Sequence, residues 1–344
     1  MPRVEFGTVA PMAPLDGVIR VARKAEECGF ASVWMGDHLV AHLGSPACLE
    51  AWTTLGIISQ RTETIRLGVG VTDPHRRNPA LLAQTATTID IASRGRLIAG
   101  IGAGEAMNLD PFGIPWDKSV SRLEEALPLL RRLWTEQYVD HEGAFYRMRN
   151  AIVEPKPEQK PHPPIWLAAN SPRTLRLCGE QCQGWLPGRI APETYARDLA
   201  TIRAAAREAG ADLGRFEPGL WTNTAVAESR EEARGYIERV GRMMALFMPQ
   251  QFQRIGVDIP GEHSFARQTV DDSTPDVLAR AAQRVPFDAV EPTLIFGTVD
   301  DCICRVQEFA DAGARHVVVG NNNPPERRDW LWERYGDEII PSFR

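Results

Sequence analysis

Glu105 closes the run Gly100-Ile101-Gly102-Ala103-Gly104-Glu105, and a carboxylate directly after three alternating glycines could give or take a proton at a bound ring once burial raises its pKa. The other reading of Glu105 is a helix N-cap carboxylate. Asp37-His38 is a similar case: the imidazole is either a second acid/base group or a structural residue, and the neighbouring carboxylate could fix its tautomer. The glycines do not make the dinucleotide fingerprint, because Gly-x-Gly-x-x-Gly is replaced here by Gly-x-Gly-x-Gly. At alternating strand positions they face one side, leaving either bare backbone for a flat ring or phosphate, or a crowded corner that admits only small residues.

Other groups are open to two readings. Arg76-Arg77-Asn78-Pro79 could meet an anionic cofactor tail or simply start a helix. The run Met243–Met248 could line an apolar groove, or pack as a core or dimer helix. Trp116, Phe145 and Tyr146 read as packing residues. Cys178 and Cys182 stand four apart without a His or acidic partner at ligand spacing, so no metal site is expected.

These groups need elements to bring them together, and short β-rich runs alternate with amphipathic stretches along the chain, the pattern of βα units around a parallel sheet. Strands are expected at Val4–Val9, Ala31–Met35, Ile65–Val71, Arg96–Gly102, Pro164–Ala169, Gly184–Pro187, Phe216–Val226 and His316–Gly320. Helices are expected at Leu15–Cys28, Leu49–Gln60, from Pro79 to Ala92, and at Val120–Trp134, Glu193–Glu208 and Val299–Ala312. About eight strands suffice to close a barrel. The expected fold is therefore an α/β class (β/α)8 TIM barrel, one domain over 1–344, with insertions near 135–164 and 241–292. The second insertion includes a loop from Ile255 to Phe265. In such a barrel functional groups sit where strands end at the C-terminal rim, which gathers Asp37, His38, Thr72, Asp73, Glu105, Asn108, Asn170 and Asn321–Asn323.

Composition narrows the function. The 344 residues carry a formal net charge of −6 and no basic block, which argues against a nucleic-acid binder. Six scattered cysteines read as reduced thiols in a cytoplasm. No signal-peptide run and no membrane span is apparent.

With these pieces in place the sequence resembles the bacterial luciferase-like family, in its branch that uses the deazaflavin coenzyme F420. The resemblance rests on Gly100-Ile101-Gly102-Ala103-Gly104-Glu105-Ala106-Met107-Asn108, on Trp34-Met35-Gly36-Asp37-His38, on Leu67-Gly68-Val69-Gly70-Val71-Thr72 with Arg77-Asn78-Pro79-Ala80, and on Ile165-Trp166-Leu167-Ala168-Ala169. Its Gly70–Asp73 and Trp116–Leu127 segments are similar to the phthiodiolone ketoreductases and the methylene-tetrahydromethanopterin reductases. The Ala106-Met107-Asn108 segment departs from the ketoreductase pattern.

The resemblance implies a luciferase-like barrel that binds F420 at its mouth, with a non-prolyl cis peptide at Gly70-Val71 behind the ring. It implies that Asp37 contacts the ring or its ribityl chain, and that Gly70, Val71 and Thr72 back it. It implies that Gly102, Ala103, Gly104 and Asn108 cradle the cofactor, and that Ala168, Ala169 and Asn170 hold its tail phosphate. Glu105 and His38 become the catalytic candidates. The implied activity is hydride transfer between the deazaflavin C5 and a carbonyl or alcohol carbon of a small or lipid-like substrate, in a homodimer. The competing readings are an F420-dependent methylene-tetrahydromethanopterin reductase, an FMN-dependent monooxygenase and a silent cofactor-binding barrel.

Overall fold

The computed structural model describes residues 3–40, 47–247, 249–253, 256–257 and 274–344. Its strands are β1 (Glu5–Val9), β2 (Ser32–Met35), β3 (Arg66–Val69), β4 (Leu97–Ile101), β5 (Val139–Glu142), β6 (Arg147–Ala151), β7 (Ile165–Leu167), β8 (Gly184–Trp185), β9 (Glu217–Val226), β10 (Ile295–Gly297) and β11 (His316–Asn321). Neighbours pair in the order β1-β2-β3-β4-β7-β8-β9-β11, and β11 pairs back onto β1, so eight parallel strands close a ring. This is the expected TIM-barrel α/β fold. β10 is a strand the sequence reading did not anticipate; it pairs with the far end of β9, at Thr224 to Val226.

Helices α1 (Leu15–Glu27), α2 (Ala51–Ser59), α3 (Pro79–Ala92), α4 (Ser119–Thr135), α5 (Pro172–Gln181) and α6 (Pro192–Ala209) link successive ring strands. α7 (Arg230–Ala245), α8 (Pro249–Gln253), α9 (Thr274–Gln283) and α10 (Phe287–Val290) follow β9, then come α11 (Val299–Asp311) and α12 (Arg328–Arg334). The local signals are plain where a cap is present. Asn78 accepts from the Ala80 amide with Pro79 at the first turn, so α3 starts where Asn-Pro said it would.

The stretch 135–164 contains the antiparallel hairpin β5–β6, outside the ring. Glu125 on α4 anchors it, accepting from the amides of Ala144, Phe145 and Tyr146 and from His141, and the hydrogen bonds outweigh burial to hold this carboxyl below its ordinary range. The stretch 241–292 is helical where described, and α7 takes in Met243, Met244 and Ala245 as buried core. Met248 and most of the Ile255–Phe265 loop lie outside the described residues.

The barrel interior is filled. Trp34, Ile98, Trp166, Leu186 and Val318 pack inside it, flanked by Val9, Val71 and Trp221. The Trp34 and Trp166 rings lie 5.3 Å apart. Beneath them a polar layer closes the N-terminal end. The Trp34 indole donates to Ser32 Oγ at 2.7 Å, and Ser32 Oγ lies 2.7 Å from His316 Nε2. Arg66 donates to both oxygens of Glu217 at 2.8 Å. His316 Nδ1 faces Glu5 at 3.5 Å and Glu217 at 3.7 Å.

Burial holds the His316 imidazole below its ordinary range, against the pull of Glu5. The approach of the His316 ring holds the Glu5 carboxyl below its own range. Both shifts have one sign: on acidification the unfolded chain takes up protons more readily than the folded one, so stability falls. The His316 share should go as pH drops below the free imidazole's ~6.5, and the Glu5 share below about 4.5. Thermal melts should therefore show Tm falling between about pH 7 and 5.5, with His316→Gln flattening that interval. A Tm that rises on acidification would contradict this account.

Candidate active site

The C-terminal rim carries the polar groups. The joint between β3 and β4 sets its floor. Beyond Val69 the Gly70–Val71 peptide is cis, as the family resemblance implied. The chain then rejoins β4, with Thr72 donating to the Gly100 carbonyl at 3.0 Å and Gly102 donating to the Thr72 carbonyl at 2.8 Å. This bulge fills the space beside the glycines. A Cβ on Gly100 would lie 1.9 Å from the Val69 carbonyl oxygen, and one on Gly102 would lie 2.6 Å from Val71 Cγ2. The crowded-corner reading therefore describes Gly100 and Gly102, and the bare-backbone reading does not. Val71 itself is partly exposed, and the Thr72 hydroxyl is enclosed without a partner among the described residues. Trp221 on β9 supports the bulge from the far side, its ring lying where a Gly70 side chain would go. Sequence reading missed Trp221, because only the closed ring brings β9 across from β3.

Asp37 and His38 diverge after β2. Asp37 is buried, and its carboxylate accepts from Arg77 at 2.8 Å and faces Arg76 at 3.3 Å. Arg76 also donates to the Asp37 carbonyl and to Asp73, at 2.8 and 2.6 Å, and Arg77 pairs with Glu50. Both guanidiniums are thus committed to carboxylates of the chain.

His38 is oriented by Asn108 instead. Asn108 follows β4 in a short 3-10 turn and is buried. Its Oδ1 accepts from the Leu39 and Val40 amides at 2.7 and 3.1 Å, which fixes the orientation of the side-chain amide. Nδ2 must then donate to His38 Nδ1, at 2.8 Å. Neutral His38 accordingly carries its proton on Nε2.

Glu105 precedes that turn but makes no capping bond to it, so the N-cap reading does not hold. Its Oε2 is enclosed and has no partner among the described residues. Gly104 stands at φ +78°, and the Ala103 carbonyl accepts from Trp116 at 3.1 Å. Across the rim, Ala168 donates to the Ile101 carbonyl at 2.9 Å, and the Ala169 carbonyl accepts from the Trp185 indole at 2.9 Å. Asn170 and Ser171 donate backbone amides to Thr174 Oγ1 at 3.1 and 3.0 Å, in the capping box that opens α5. Ala168, Ala169 and Asn170 therefore stand before a helix N-terminus, where an anion is favoured. Asn321, Asn322 and Asn323 bind backbone instead; Asn323 clamps Val226 through its amide and carbonyl.

Among the described residues one His–carboxylate group is tight enough to share a metal: Glu5, Glu217 and His316. It lies at the opposite end of the barrel, and Arg66 already holds Glu217 there.

Comparison with known proteins places this geometry. Residues 2–316 match the model of the luciferase-like monooxygenase family. The chain is 35% identical over 333 residues to a phthiodiolone/phenolphthiodiolone dimycocerosates ketoreductase of Mycobacterium tuberculosis, covering 87% of each protein. It is 28% identical over 325 residues to a 5,10-methylenetetrahydromethanopterin reductase of Archaeoglobus fulgidus, covering 93% of each. Its fold is similar to that of an F420-dependent secondary alcohol dehydrogenase solved with an F420-acetone adduct, with a TM-score of 0.83, 24% identity and all of both chains covered.

The Asn108 geometry is testable without a substrate. Asn108→Asp keeps an oxygen toward Leu39 and Val40 but replaces the donor at His38 with an acceptor. Nitrogen-15 NMR of the imidazole should show Nε2–H in the parent and a proton on Nδ1 in the variant. An unchanged tautomer would remove Asn108 from this role.

Proposed function

The chain belongs to the luciferase-like monooxygenase family, and we propose that it is a coenzyme F420-dependent reductase or dehydrogenase acting on a carbonyl or alcohol carbon. It is an oxidoreductase, like the ketoreductase and methylenetetrahydromethanopterin reductase it is similar to. Bound at the mouth, the deazaflavin supplies a two-electron hydride at C5. The residues present suit such a ring. Val71 presents partly exposed surface on the β3 bulge, and the Thr72 hydroxyl is enclosed without a partner among the described residues, which suits a heteroaromatic edge with polar groups. The N-terminus of α5 beside Ala168, Ala169 and Asn170 suits the tail phosphate.

The chain's own chemistry is proton handling. Glu105 gives a proton to the substrate oxygen in reduction and takes it back in oxidation. His38, whose neutral form carries its proton on Nε2, is the second acid/base candidate at that oxygen. Asp37 works through position, tying the segment after β2 to Arg76 and Arg77. The enclosed, unpartnered oxygen of Glu105, not used for capping, is the observation that carries this reading.

The proposal includes a homodimer through α2 and α3. α2 has no charged residue and α3 only Asp90, which is buried and bonded to Gln159. Leu81, Ile91 and Ile152 are exposed nearby. A cleft of about 520 Å³ between these helices and the 153–155 segment is lined by Trp52 and Thr87, whose indole N–H and hydroxyl lack partners among the described residues. Among the described residues no helix is long and apolar enough to cross a membrane. The buried thiols of Cys178, Cys182 and Cys302 suit a cytoplasmic enzyme.

Glu105→Gln should leave deazaflavin binding, followed by fluorescence, within a few-fold, and lower turnover by about 10²–10⁴-fold. Unchanged turnover would take Glu105 out of the chemistry. Turnover confined to pterins would favour the methylene-tetrahydromethanopterin reductase reading. Oxygen consumption with FMN would replace F420, and binding without single-turnover transfer would leave a silent barrel. For the dimer, Gly56→Arg, whose Cβ meets nothing within its own chain, should give a monomer by light scattering.

A further inference from the structure

Arg189, a cation at the rim, touches no carboxylate among the described residues. Arg189 follows β8, and burial holds its guanidinium below the ordinary arginine range while the charge of Glu105 works the other way. The residue still keeps some exposed surface. Its Nη2 lies 3.1 Å from the thioether sulfur of Met244, a weak acceptor, and its guanidinium carbon stands 5.8 Å from the centre of the Phe247 ring. Its Nε is enclosed and has no partner among the described residues. Arg66, Arg76 and Arg77, by contrast, each meet a carboxylate at 2.8 Å or closer.

The backbone holds Arg189 in this position. Its φ of +60° lies in the left-handed region, which residues with a side chain seldom occupy unless their surroundings enforce it. Here they do. The Arg189 amide donates to the Trp221 carbonyl at 3.4 Å, and Gln251, with its side-chain amide turned toward the loop, donates to the Gly188 and Arg189 carbonyls at 3.0 and 2.9 Å. A charge held this firmly in apolar company without a contacting counter-ion is expensive unless a ligand supplies one.

We infer that Arg189 is a substrate-positioning residue that receives an oxyanion, a carboxylate or a phosphate, carried by the substrate at a distance from its carbonyl. The inference rests on the proposed hydride transfer for the identity of that carbonyl. A guanidinium offers a planar fork matched to two oxygens of one oxyanion, and Met244 and Phe247 flank it with surface suited to the hydrocarbon between anion and carbonyl. Glu105, on the same rim, is left to serve the reacting oxygen. The preferred acceptor is then an anionic oxo compound, not an uncharged ketone.

The experiment compares a methyl ketone with analogues of equal length ending in a carboxylate or a phosphate, using F420-loaded parent, Arg189→Met and Arg189→Lys. The parent should favour one anionic acceptor by about 10²-fold in kcat/KM, mainly through KM, and Arg189→Met should bring that ratio to within about threefold. Arg189→Lys should fall between, and the anion preferred by the parent identifies the group. Partial return of the ratio to Arg189→Ala by millimolar methylguanidinium would mark a lost contact and not a lost fold. Apart from turnover, the anionic acceptor should raise the Tm of the parent but not of Arg189→Met. If no acceptor turns over while that Tm difference persists, the hydride-transfer reading fails and the anion site stands. Equal use of neutral and anionic acceptors by the parent overturns the inference. So does an Arg189→Met variant that keeps the ratio but loses deazaflavin affinity, which would give Arg189 to the cofactor tail.

Discussion

The Asn108 side chain ties the two halves of the candidate active site together. One amide accepts from two backbone N–H groups after β2 and donates to the imidazole between them and the strand. All its hydrogen-bonding directions are therefore determined, and it is buried. Removing one partner from such a group leaves a desolvated donor or acceptor, at a cost of about 1–3 kcal/mol. The turn that carries Asn108 begins immediately after Glu105. The placement of His38 and that of the Glu105 carboxylate are thus one constraint, set by the backbone between β4 and Asn108.

The two ends of the barrel treat polar atoms differently. At the N-terminal end Arg66, Glu217, Glu5, His316, Ser32 and the Trp34 indole face one another, with His316 Nδ1 as the atom left between two carboxylates. The tryptophans Trp34 and Trp166 separate that layer from the rim. At the C-terminal end Thr72, Glu105 and Arg189 each keep an enclosed polar atom with no partner among the described residues. Such atoms at the mouth of a barrel are ones that a bound polar ligand would satisfy.

Much of this was legible in the sequence, and the exceptions have physical causes. The ring strands and α3 carry local signals: β-branched runs, and Asn78-Pro79 at a helix start. β10 has only three residues and follows a short Pro-containing turn, too little for a period to show. α7 ends in the apolar Met243 to Ala245 stretch, which draws attention from the charged turns that begin it. The glycine run was visible, but its reason was not, because the atoms that crowd Gly100 and Gly102 belong to β3. Asp37 seemed the natural partner of His38 by adjacency. In extended chain successive side chains point to opposite faces, so adjacency separates them, and the true partner stands 70 residues away.

The rim also separates two kinds of charge. Asp37, Asp73 and Glu50 pair with Arg76 and Arg77 within hydrogen-bonding distance, so both cations of the cluster are matched by carboxylates. Among the described residues Glu105 and Arg189 touch no oppositely charged group, and the charge of Glu105 acts on Arg189 through space. In a recess with low-dielectric walls such uncancelled charges dominate the potential felt by a ligand. A substrate with a polarisable carbonyl at one end and an anion at the other would be turned by that field before it made contact. Orientation at the mouth is then a property of two side chains, while the paired cluster beside them supplies rigidity.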